Sequence, residues 1–444
     1  MRPAAPHRPR KAVKSRSARA PVREMRGDPC STPGPARLST VGGNRRAEFQ
    51  QRAGSLQLNF LSGFENAQRT SKIPGTQHRC SLRARHPRRF CYTTLLSMSK
   101  KYNVAVIGYG WAATAHIAAI NSTAQAQVTA VWSSRPLDSA ELSAKHGSPI
   151  AAFTDLAAML ADPSIHAVDI TSYPNQHAAQ FIAAARGGKH IIVEKPLAIS
   201  WDEILQMKRA ADESGVKVCV CFECRWSSQF LATKSVLDQG LVGALHYGEV
   251  DYYHGIGPWY GQYRWNTKRE LGGSALLTAG CHALDALLLC MGGDVEEVTS
   301  YATQSAHPIF AAYEYATTAT TLLRFTNGVV GKCAAVVDCF QPYYFHTHLV
   351  GSEGSILDNK FHSMKLGGLN KAAWSQLSMK MLDSGDVSDH PYQTQFQAFF
   401  DALDAGKDMP LTSFADAFAT HRVIAAADQS AGEKRAVKLS EISM

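Results

Sequence analysis

The sequence predicts an α/β domain followed by an α+β domain, and three observations lead to this prediction. Short apolar segments alternate with helical patterns from residue 102 to about 222. Longer strand-like segments, with one long helical pattern among them, follow residue 225. A basic segment without a sustained hydrophobic period precedes both regions. We therefore expect a doubly wound parallel sheet within 98–222 and a large, open, mainly antiparallel sheet within 223–444.

The first 97 residues carry the basic charge of the chain. They hold 20 of the 46 Lys and Arg residues but only 4 of the 37 Asp and Glu residues, which leaves a net charge of −7 on the rest. A mildly acidic remainder gives no electrostatic reason to expect nucleic-acid binding. The Arg-rich composition could indicate a transit sequence, but seven prolines before residue 36 argue against an amphipathic targeting helix. We interpret residues 1–97 as a disordered extension that is dispensable or not translated, with Met98 as the functional start.

Membrane insertion and metal binding are not expected. No run of 18 uninterrupted apolar residues exists, and no secretory signal pattern is present. Cys219, Cys221 and Cys224 lie close together, but the alternation of residues 216–222 predicts a strand with the first two thiols on one face. No second cluster has zinc-ligand spacing. Buried reduced thiols in the cytoplasm are the better interpretation, with an organelle as the alternative if residues 1–97 are a transit sequence.

The elements of the first domain follow from continuous apolar runs separated by helical periodicity. Such runs are typical of parallel strands that are covered on both faces. The predicted strands are 104–107, 127–132, 167–171, 190–193 and 216–222, and the predicted helices are 111–122, 138–146, 155–161, 175–187 and 201–214.

The second domain combines longer strands with fewer helices. The predicted strands are 244–253, 295–303, 317–326, 329–337 and 346–351. The predicted helices are 229–238, 274–291, 396–405 and 413–430, the last two separated by Gly406 and Pro410. This order predicts an α+β domain with one large, mainly antiparallel sheet.

A glycine turn follows the first strand. Gly108 allows a tight turn, Gly110 lets the backbone approach a pyrophosphate, and Ala113 allows the next helix to pack closely on the strand. The free N–H groups of that helix would face the phosphates. We therefore predict a dinucleotide site, with cofactor contacts from Gly108, Tyr109, Gly110, Trp111 and Ala112.

Two further motifs carry side chains that suit proton transfer. Glu194-Lys195-Pro196 ends a strand, and Pro196 restricts Lys195 to extended geometry at the ligand-binding edge of the sheet. Gly272-Gly273 precedes a helix that presents Thr278, His282 and Asp285 at helical spacing. Combined with a nucleotide site, His282 and Lys195 are better interpreted as catalytic than as core or surface residues.

In this order and at these separations, the three motifs resemble those of the Gfo/Idh/MocA family of nicotinamide-dependent oxidoreductases, from residue 102 to about 440. The resemblance implies a Rossmann domain, a second domain with an open sheet, and hydride transfer at a hydroxyl carbon of a sugar, cyclitol or related alcohol. It also implies that Lys195 polarises the reacting oxygen and that His282 is the general acid/base. Cofactor contacts implied in the same way are Pro174, Asn175, His177, Glu194, Lys195 and Arg225.

One position departs from the family pattern. Many of these dehydrogenases carry an aspartate four residues before the histidine, where this chain has Thr278. A threonine cannot accept a proton at neutral pH, so proton transfer is left to Lys195 and His282. Thr278 and Asp285 are candidates for substrate contacts.

The end of the second strand bears on the choice of cofactor. NAD sites usually place a carboxylate there, whereas this chain has Ser133, Ser134 and Arg135. Two hydroxyls and a guanidinium suit a 2′-phosphate, which favours NADP over NAD.

The substrate is expected next to the aromatic segment 252–265. Aromatic faces with polar tips suit a sugar ring, although such residues could equally pack a sheet or a subunit interface. The candidate contacts are Tyr253, His254, Trp259 and Arg264.

Two other functional classes remain open at this point. One is a glycosidase of the same family that uses bound NAD, and the other is a non-catalytic NADPH-binding regulator. The open sheet must be covered, and in this family it commonly pairs subunits, so a homodimer or homotetramer is expected.

Overall fold

The computed structural model describes residues 100–382, 385–387 and 390–444. The expectations for residues 1–97 and for Met98 lie outside this part of the chain. Two sheets organise the described residues, and each lies where the sequence predicted it.

The first sheet is parallel throughout, with the strand order β3-β2-β1-β4-β5-β6. This is the order of the Rossmann fold, in which ligands bind where the strand order reverses, here between β1 and β4. The strands are β1 (Tyr102–Ile107), β2 (Ala126–Trp132), β3 (Ala151–Phe153), β4 (Ala167–Ile170), β5 (His190–Val193) and β6 (Val218–Val220). The helices are α1 (Trp111–Asn121), α2 (Ser139–His146), α3 (Leu156–Ala161), α4 (Pro174–Arg186) and α5 (Trp201–Ser214).

The second sheet is mainly antiparallel, with the order β14-β13-β12-β11-β7-β10-β9-β8-β15 and one parallel pair, β7 with β10. The predicted fold class is therefore confirmed. The strands are β7 (Leu245–Tyr253), β8 (Val295–Thr303), β9 (Thr318–Phe325), β10 (Val330–Val336), β11 (Tyr344–Gly351), β12 (Gly354–Leu357), β13 (Lys360–Ser363), β14 (Ser375–Gln376) and β15 (Val437–Lys438).

Helices cover one face of this sheet and connect it to the first. The helices are α6 (Ser228–Asp238), α7 (Tyr263–Asn266), α8 (Arg269–Gly272), α9 (Cys281–Met291), α10 (Tyr392–Asp404) and α11 (Phe414–Glu433). Helix α9 packs on β7 and β10, and α11 packs on β8 and on α5. Helix α10 returns to the first domain and packs on α1. Helices α10 and α11 therefore connect the two sheets.

The helix predicted at 274–291 is interrupted. A π-helical turn, Leu276–Gly280, precedes α9, and Gly273 with φ of +74° separates that turn from α8. By length and composition the stretch Arg269–Met291 could cross a membrane, but 83% of its most apolar part is buried inside the fold. A central core helix passes the same test, so this stretch is weak evidence for a membrane span.

Candidate active site

A cavity of about 530 Å³ lies between the carboxyl ends of the parallel strands and the inner face of the second sheet. Both domains contribute to its wall. Trp111 of the first domain meets Tyr260 of the second edge-on, and Tyr173 lies against Trp265. The remaining lining residues include Gly108, Tyr109, Gly110, Ala112, Trp132, Ser133, Ser134, Arg135, Thr171, Ser172, Pro174, Gln176, Glu194, Lys195, Glu223, Tyr252, His254, His282, Tyr343, His390 and Tyr392.

The glycine turn has the geometry that a dinucleotide requires. Gly108 has φ of +96°, and a Cβ there would lie 2.8 Å from the backbone nitrogen of Ser172. A Cβ on Gly110 would meet no atom of the residues that the structure describes within 4 Å, so the backbone is open to the cavity at this point. Gly110 is also the N-cap of α1, and no side chain among the described residues caps that helix. Its first N–H groups are therefore available for a pyrophosphate, so the residues present fit the cofactor.

Arg135 lies beside the glycine turn. Its Nη2 donates a hydrogen bond to the backbone oxygen of Tyr109 at 3.0 Å. Ser133 and Ser134 line the same end of the cavity. A guanidinium and two hydroxyls thus gather at the end of β2, where the ribose of a dinucleotide lies in Rossmann folds.

A buried hydrogen-bond network holds the Glu194 carboxylate in place. His116 Nε2 lies 3.1 Å from Glu194 Oε1, and the other ring nitrogen lies 3.0 Å from Asp169 Oδ1. Tyr392 donates a hydrogen bond to the same Glu194 oxygen at 3.0 Å. Burial opposes a charge on His116, but Asp169 and Glu194 raise its pKa to about 10. Burial also opposes a charge on Glu194, yet His116 lowers its pKa to about 2. Glu194 is thus held as an anion on an imidazolium.

Lys195 extends from the end of β5 into the cavity. Its Nζ donates a long hydrogen bond to the backbone oxygen of Thr278, at 3.4 Å. Burial alone would lower the pKa of Lys195, but the neighbouring carboxylates Glu194 and Glu223 contribute to raising it above its usual value. Lys195 is therefore a cation at physiological pH.

His282 lies on the first turn of α9 and is buried. Burial, together with the charges of Lys195 and His390, holds the pKa of His282 well below its usual value. The imidazole is therefore neutral at physiological pH, which is the form that can accept a proton. Lys195 and His282, predicted from motifs 87 positions apart, line one cavity.

Three residues predicted as cofactor or substrate contacts do not line the cavity. Thr278 donates its hydroxyl to Asn266 Oδ1 at 2.5 Å and does not line the cavity. Arg225 binds Asp285 through two hydrogen bonds, at 2.5 and 2.7 Å, in a buried pair. The interpretation of Arg225 as a cofactor contact and of Asp285 as a substrate contact is therefore not supported, because each side chain satisfies the other.

The three cofactor contacts predicted at the start of α4 do not all line the cavity. Pro174 lines the cavity, whereas Asn175 points to solvent and is not part of the wall. His177 is buried with its ring nitrogens 2.8 Å from Pro196 O and 3.0 Å from Ser172 O. Its position between two backbone carbonyls indicates that it braces the loops on either side of the cavity, so the predicted direct cofactor contact is not supported.

The aromatic segment divides between three surfaces. His254 lines the cavity, as predicted. Tyr253 lies on the opposite face of the second sheet, stacked on Tyr344, because neighbouring strand residues point to opposite faces. Trp259 lines an adjoining opening of about 450 Å³, and Arg264 is exposed outside both. The predicted contacts of Tyr253 and Arg264 with substrate are therefore not supported.

Several lining residues were not predicted from the sequence. Glu223 follows β6, and its place just beyond a parallel strand was the available signal. Tyr252 precedes the predicted Tyr253 on β7, and the sequence did not show which of the two side chains faces the cavity. Tyr343, His390 and Tyr392 come from distant parts of the chain, and no local pattern indicates them.

The described residues contain three groups of side chains that could bind a metal ion, and within each group the ligand atoms lie within 4.8 Å of one another. The groups are His116, Glu194 and Cys221; Glu223, Cys224 and His282; and Glu249, His346 and His348. Burial raises the pKa of the Cys221 and Cys224 thiols well above the usual value, which disfavours the thiolate that a metal requires. The absence of a metal remains a prediction.

Comparison with known proteins agrees with this arrangement. Residues 102–222 match a family model described as "Oxidoreductase family, NAD-binding Rossmann fold", and residues 230–357 match the "GFO/IDH/MocA C-terminal domain". Together these segments cover more than half of the 444 residues.

Curated relatives match at moderate identity. An uncharacterised oxidoreductase of Synechocystis is 31% identical over 43% of this chain and 52% of its own length. An NADP-dependent scyllo-inositol 2-dehydrogenase of Bacillus subtilis is 28% identical over 45% and 55%. The chain thus spans about half the length of these relatives. A myo-inositol 2-dehydrogenase of Thermotoga maritima is 24% identical over 76% of this chain and 99% of its own.

Among solved structures, levoglucosan dehydrogenase in complex with NADH superposes with a TM-score of 0.65. The match covers 76% of this chain and 99% of that protein, at 23% identity. At this identity the likeness establishes the fold.

Proposed function

The chain belongs to the Gfo/Idh/MocA oxidoreductase family, and from this premise we propose that it transfers hydride between a nicotinamide dinucleotide and a hydroxyl carbon of a sugar or cyclitol. One observation carries the proposal: a cationic Lys195 and a neutral His282 line the same cavity as the glycine turn. Relatives named as inositol and sugar dehydrogenases support this substrate class.

The chemistry is divided between the cofactor and the protein. When bound, the nicotinamide would accept or return the hydride. Lys195 would donate a hydrogen bond to the reacting oxygen and stabilise negative charge on it. His282, being neutral, would accept the hydroxyl proton during oxidation and return it during reduction. The walls that Trp111 and Tyr260 form together would limit the access of water to these groups.

We propose NADP as the preferred cofactor. The support is the cluster of Ser133, Ser134 and Arg135 at the end of β2, where the sequence provides no carboxylate. Titrating the full chain with NADP and with NAD, followed by tryptophan fluorescence, tests this preference. Replacing Arg135 with Ala should weaken NADP binding about tenfold or more and leave NAD binding nearly unchanged. Arg186→Ala, on the exposed end of α4, is the matched control. Equal losses for both cofactors would contradict the assignment.

The activity itself is tested by the near-ultraviolet absorbance of the reduced nicotinamide. The full chain would be incubated with NADP or NAD and a panel of sugars, cyclitols and anhydrosugars. Reduction of the cofactor by one of them is the expected result. Cofactor binding without turnover on any of them would contradict the dehydrogenase proposal. Release of sugar from a glycoside without net change in the cofactor would favour the glycosidase class instead.

We also propose the cytoplasm as the location. The cysteines in the described part of the chain are all free, and most are buried. Reduced thiols are typical of a reducing compartment. Fractionation of cells that express the tagged full chain would test this, and recovery in an organelle would contradict it.

A further inference from the structure

Glu223 is a buried carboxylate that no part of the proposed mechanism uses. It opens the 3₁₀ turn Glu223–Trp226 after β6, lines the cavity and is 2% exposed. Its Oε1 lies 3.6 Å from Nε2 of His282 and 3.4 Å from Nε2 of His390. Its Oε2 is buried and has no hydrogen-bond partner among the described residues.

A carboxylate in this state is costly for the fold. Buried polar atoms are nearly always hydrogen-bonded, and an unpaired buried charge is more expensive still. The other acidic residues near the cavity are satisfied, because Glu194 is bound by His116 and Asp285 by Arg225. An incompletely satisfied carboxylate facing a reactive cavity is typical of a functional site.

Glu223 is also the carboxylate that faces His282. The residue one helical turn before His282 is Thr278, whose hydroxyl is committed to Asn266. It therefore cannot stabilise a charge on the imidazole. The distance of 3.6 Å between Glu223 and His282 is too long for a hydrogen bond but short enough for a strong electrostatic attraction once His282 is protonated.

We propose that Glu223 is the positioning residue for His282, because its carboxylate orients the imidazole and stabilises the imidazolium that forms in the reaction. This inference rests on the proposed function. During oxidation the hydroxyl proton would pass from the substrate oxygen to His282, while a bound nicotinamide would supply the hydride acceptor. During reduction the same proton returns from His282 to the oxygen. Glu223 contributes charge and orientation and undergoes no net change.

Burial and the groups around Glu223 bring its pKa close to neutral pH. Burial raises the pKa of Glu223, His390 and Lys195 lower it, and Glu194 raises it, which places it at about 7. The thiols of Cys224 and Cys281 are also close, but burial keeps them neutral. Glu223 therefore changes from neutral to anionic in the pH range in which His282 is already neutral.

The first experiment needs no substrate. The full chain, labelled with ¹⁵N-histidine, would be titrated by NMR, and the His282 signal would be assigned by its loss in His282→Gln. In the unmodified protein the His282 nitrogen shifts should move with a midpoint near pH 7, and this step should be absent in Glu223→Gln. A flat His282 signal across that range, or the same step in Glu223→Gln, would overturn the proposal.

The second experiment measures turnover. Glu223→Gln should lower kcat roughly tenfold or more, leave the KM for cofactor nearly unchanged and remove the loss of oxidation rate below about pH 7. Glu223→Asp should recover part of the rate, which a purely structural role would not predict. Glu249→Gln, on the far face of the second sheet beside Lys332, is the matched control. Unchanged kcat in Glu223→Gln would overturn the proposal.

The two experiments separate this inference from the proposed function. If the unmodified protein turns over no substrate, the proposed function fails, while the NMR titration still decides whether Glu223 acts on His282.

Discussion

Lys195 and His282 come from different domains and have different electrostatic states in one cavity. Lys195 is held as a cation by neighbouring acidic groups, and His282 is kept neutral by burial. Replacing either with Ala should lower turnover by at least about a hundredfold, because positioned acid–base groups typically contribute that much. Dinucleotide binding should persist, since the glycine turn and α1 are untouched. Steady-state kinetics and fluorescence titration would measure the two effects.

The control for this pair is His246→Ala, an exposed histidine on β7. Its turnover should match that of the unmodified protein. Near-normal turnover in Lys195→Ala or in His282→Ala would refute the role assigned to that residue.

Glu223 should reduce the stability of the fold at neutral and alkaline pH. Its pKa rises on folding from 4.5 to about 7, so the folded state holds the proton more tightly than the unfolded state. The free energy of unfolding therefore falls as pH rises through this range. Glu223→Gln removes the ionisation and should be more stable than the unmodified protein at about pH 8, by about 3 kcal/mol at most. At about pH 5 the gain should be much smaller, and urea unfolding at both pH values would measure it.

Glu249→Gln should change the free energy of unfolding in the opposite direction. Burial opposes a charge on Glu249, but its hydrogen bond with Lys332 lowers its pKa, so it stays ionised at both pH values. Its replacement should be destabilising by a similar amount at about pH 5 and pH 8. An effect of Glu223→Gln that is equally independent of pH would show that the pKa of Glu223 does not rise on folding.

At the scale of elements, the π-helical turn before α9 determines where His282 lies. Gly280, the last residue of that turn, packs directly on β10, and a Cβ there would lie 2.3 Å from the Cβ of Ala335. Gly280→Ala should therefore push the helix from the sheet and destabilise the protein by about 1–3 kcal/mol. It should also lower turnover, because His282 lies two residues further along. Denaturant unfolding and kcat would be measured together.

Gly432→Ala is the matched control for this substitution. Gly432 lies in α11, and a Cβ there would meet no atom within 4 Å. Alanine is the better helix former, so this variant should be as stable as the unmodified protein or slightly more stable. If Gly280→Ala behaved like this control, the close packing of α9 on β10 would not position the site.

The elements with strong local signals were predicted from the sequence. Helix α5 was predicted with its observed bounds, and the structure shows strong local signals at both ends: Ser200 and Glu203 form a capping box, and Gly215 ends the helix in the left-handed conformation. Strand β3 was missed because three residues carry too little pattern. The π-helical turn was missed because its position depends on contact with β10, which no local periodicity encodes.

As with the helices and strands, only those residues of the candidate site that lie in short local motifs were predicted. The glycine turn, Lys195 and His282 lie in short motifs whose geometry is local. Glu223 and His390 complete the cavity through contacts between distant segments, and the long-range packing that brings them together is not visible in a single sequence.

At the scale of the whole molecule, the second sheet has one face that no other described element covers. Helices α9 and α11 cover one side, whereas the outward side chains of β8, β9 and β10 remain accessible. Tyr301 is 70% exposed and Leu322 is 50% exposed on this face, next to the charged pair of Lys332 and Glu249. Exposed apolar side chains on a broad sheet, rimmed by polar groups, are typical of a subunit interface.

We propose that this face pairs two copies of the chain, and Leu322 tests the proposal. Leu322 lies between Thr299 and Lys332 on neighbouring strands, so Leu322→Glu would place a carboxylate in the middle of the surface. In an isologous dimer each substitution acts twice, once on each subunit. Sedimentation velocity should therefore show a dimer or tetramer for the unmodified full chain and a smaller species for Leu322→Glu. Leu231→Glu, at a comparably exposed leucine of α6, should leave the assembly intact. A monomeric unmodified protein, or equal sedimentation of all three, would show that the open face does not join subunits.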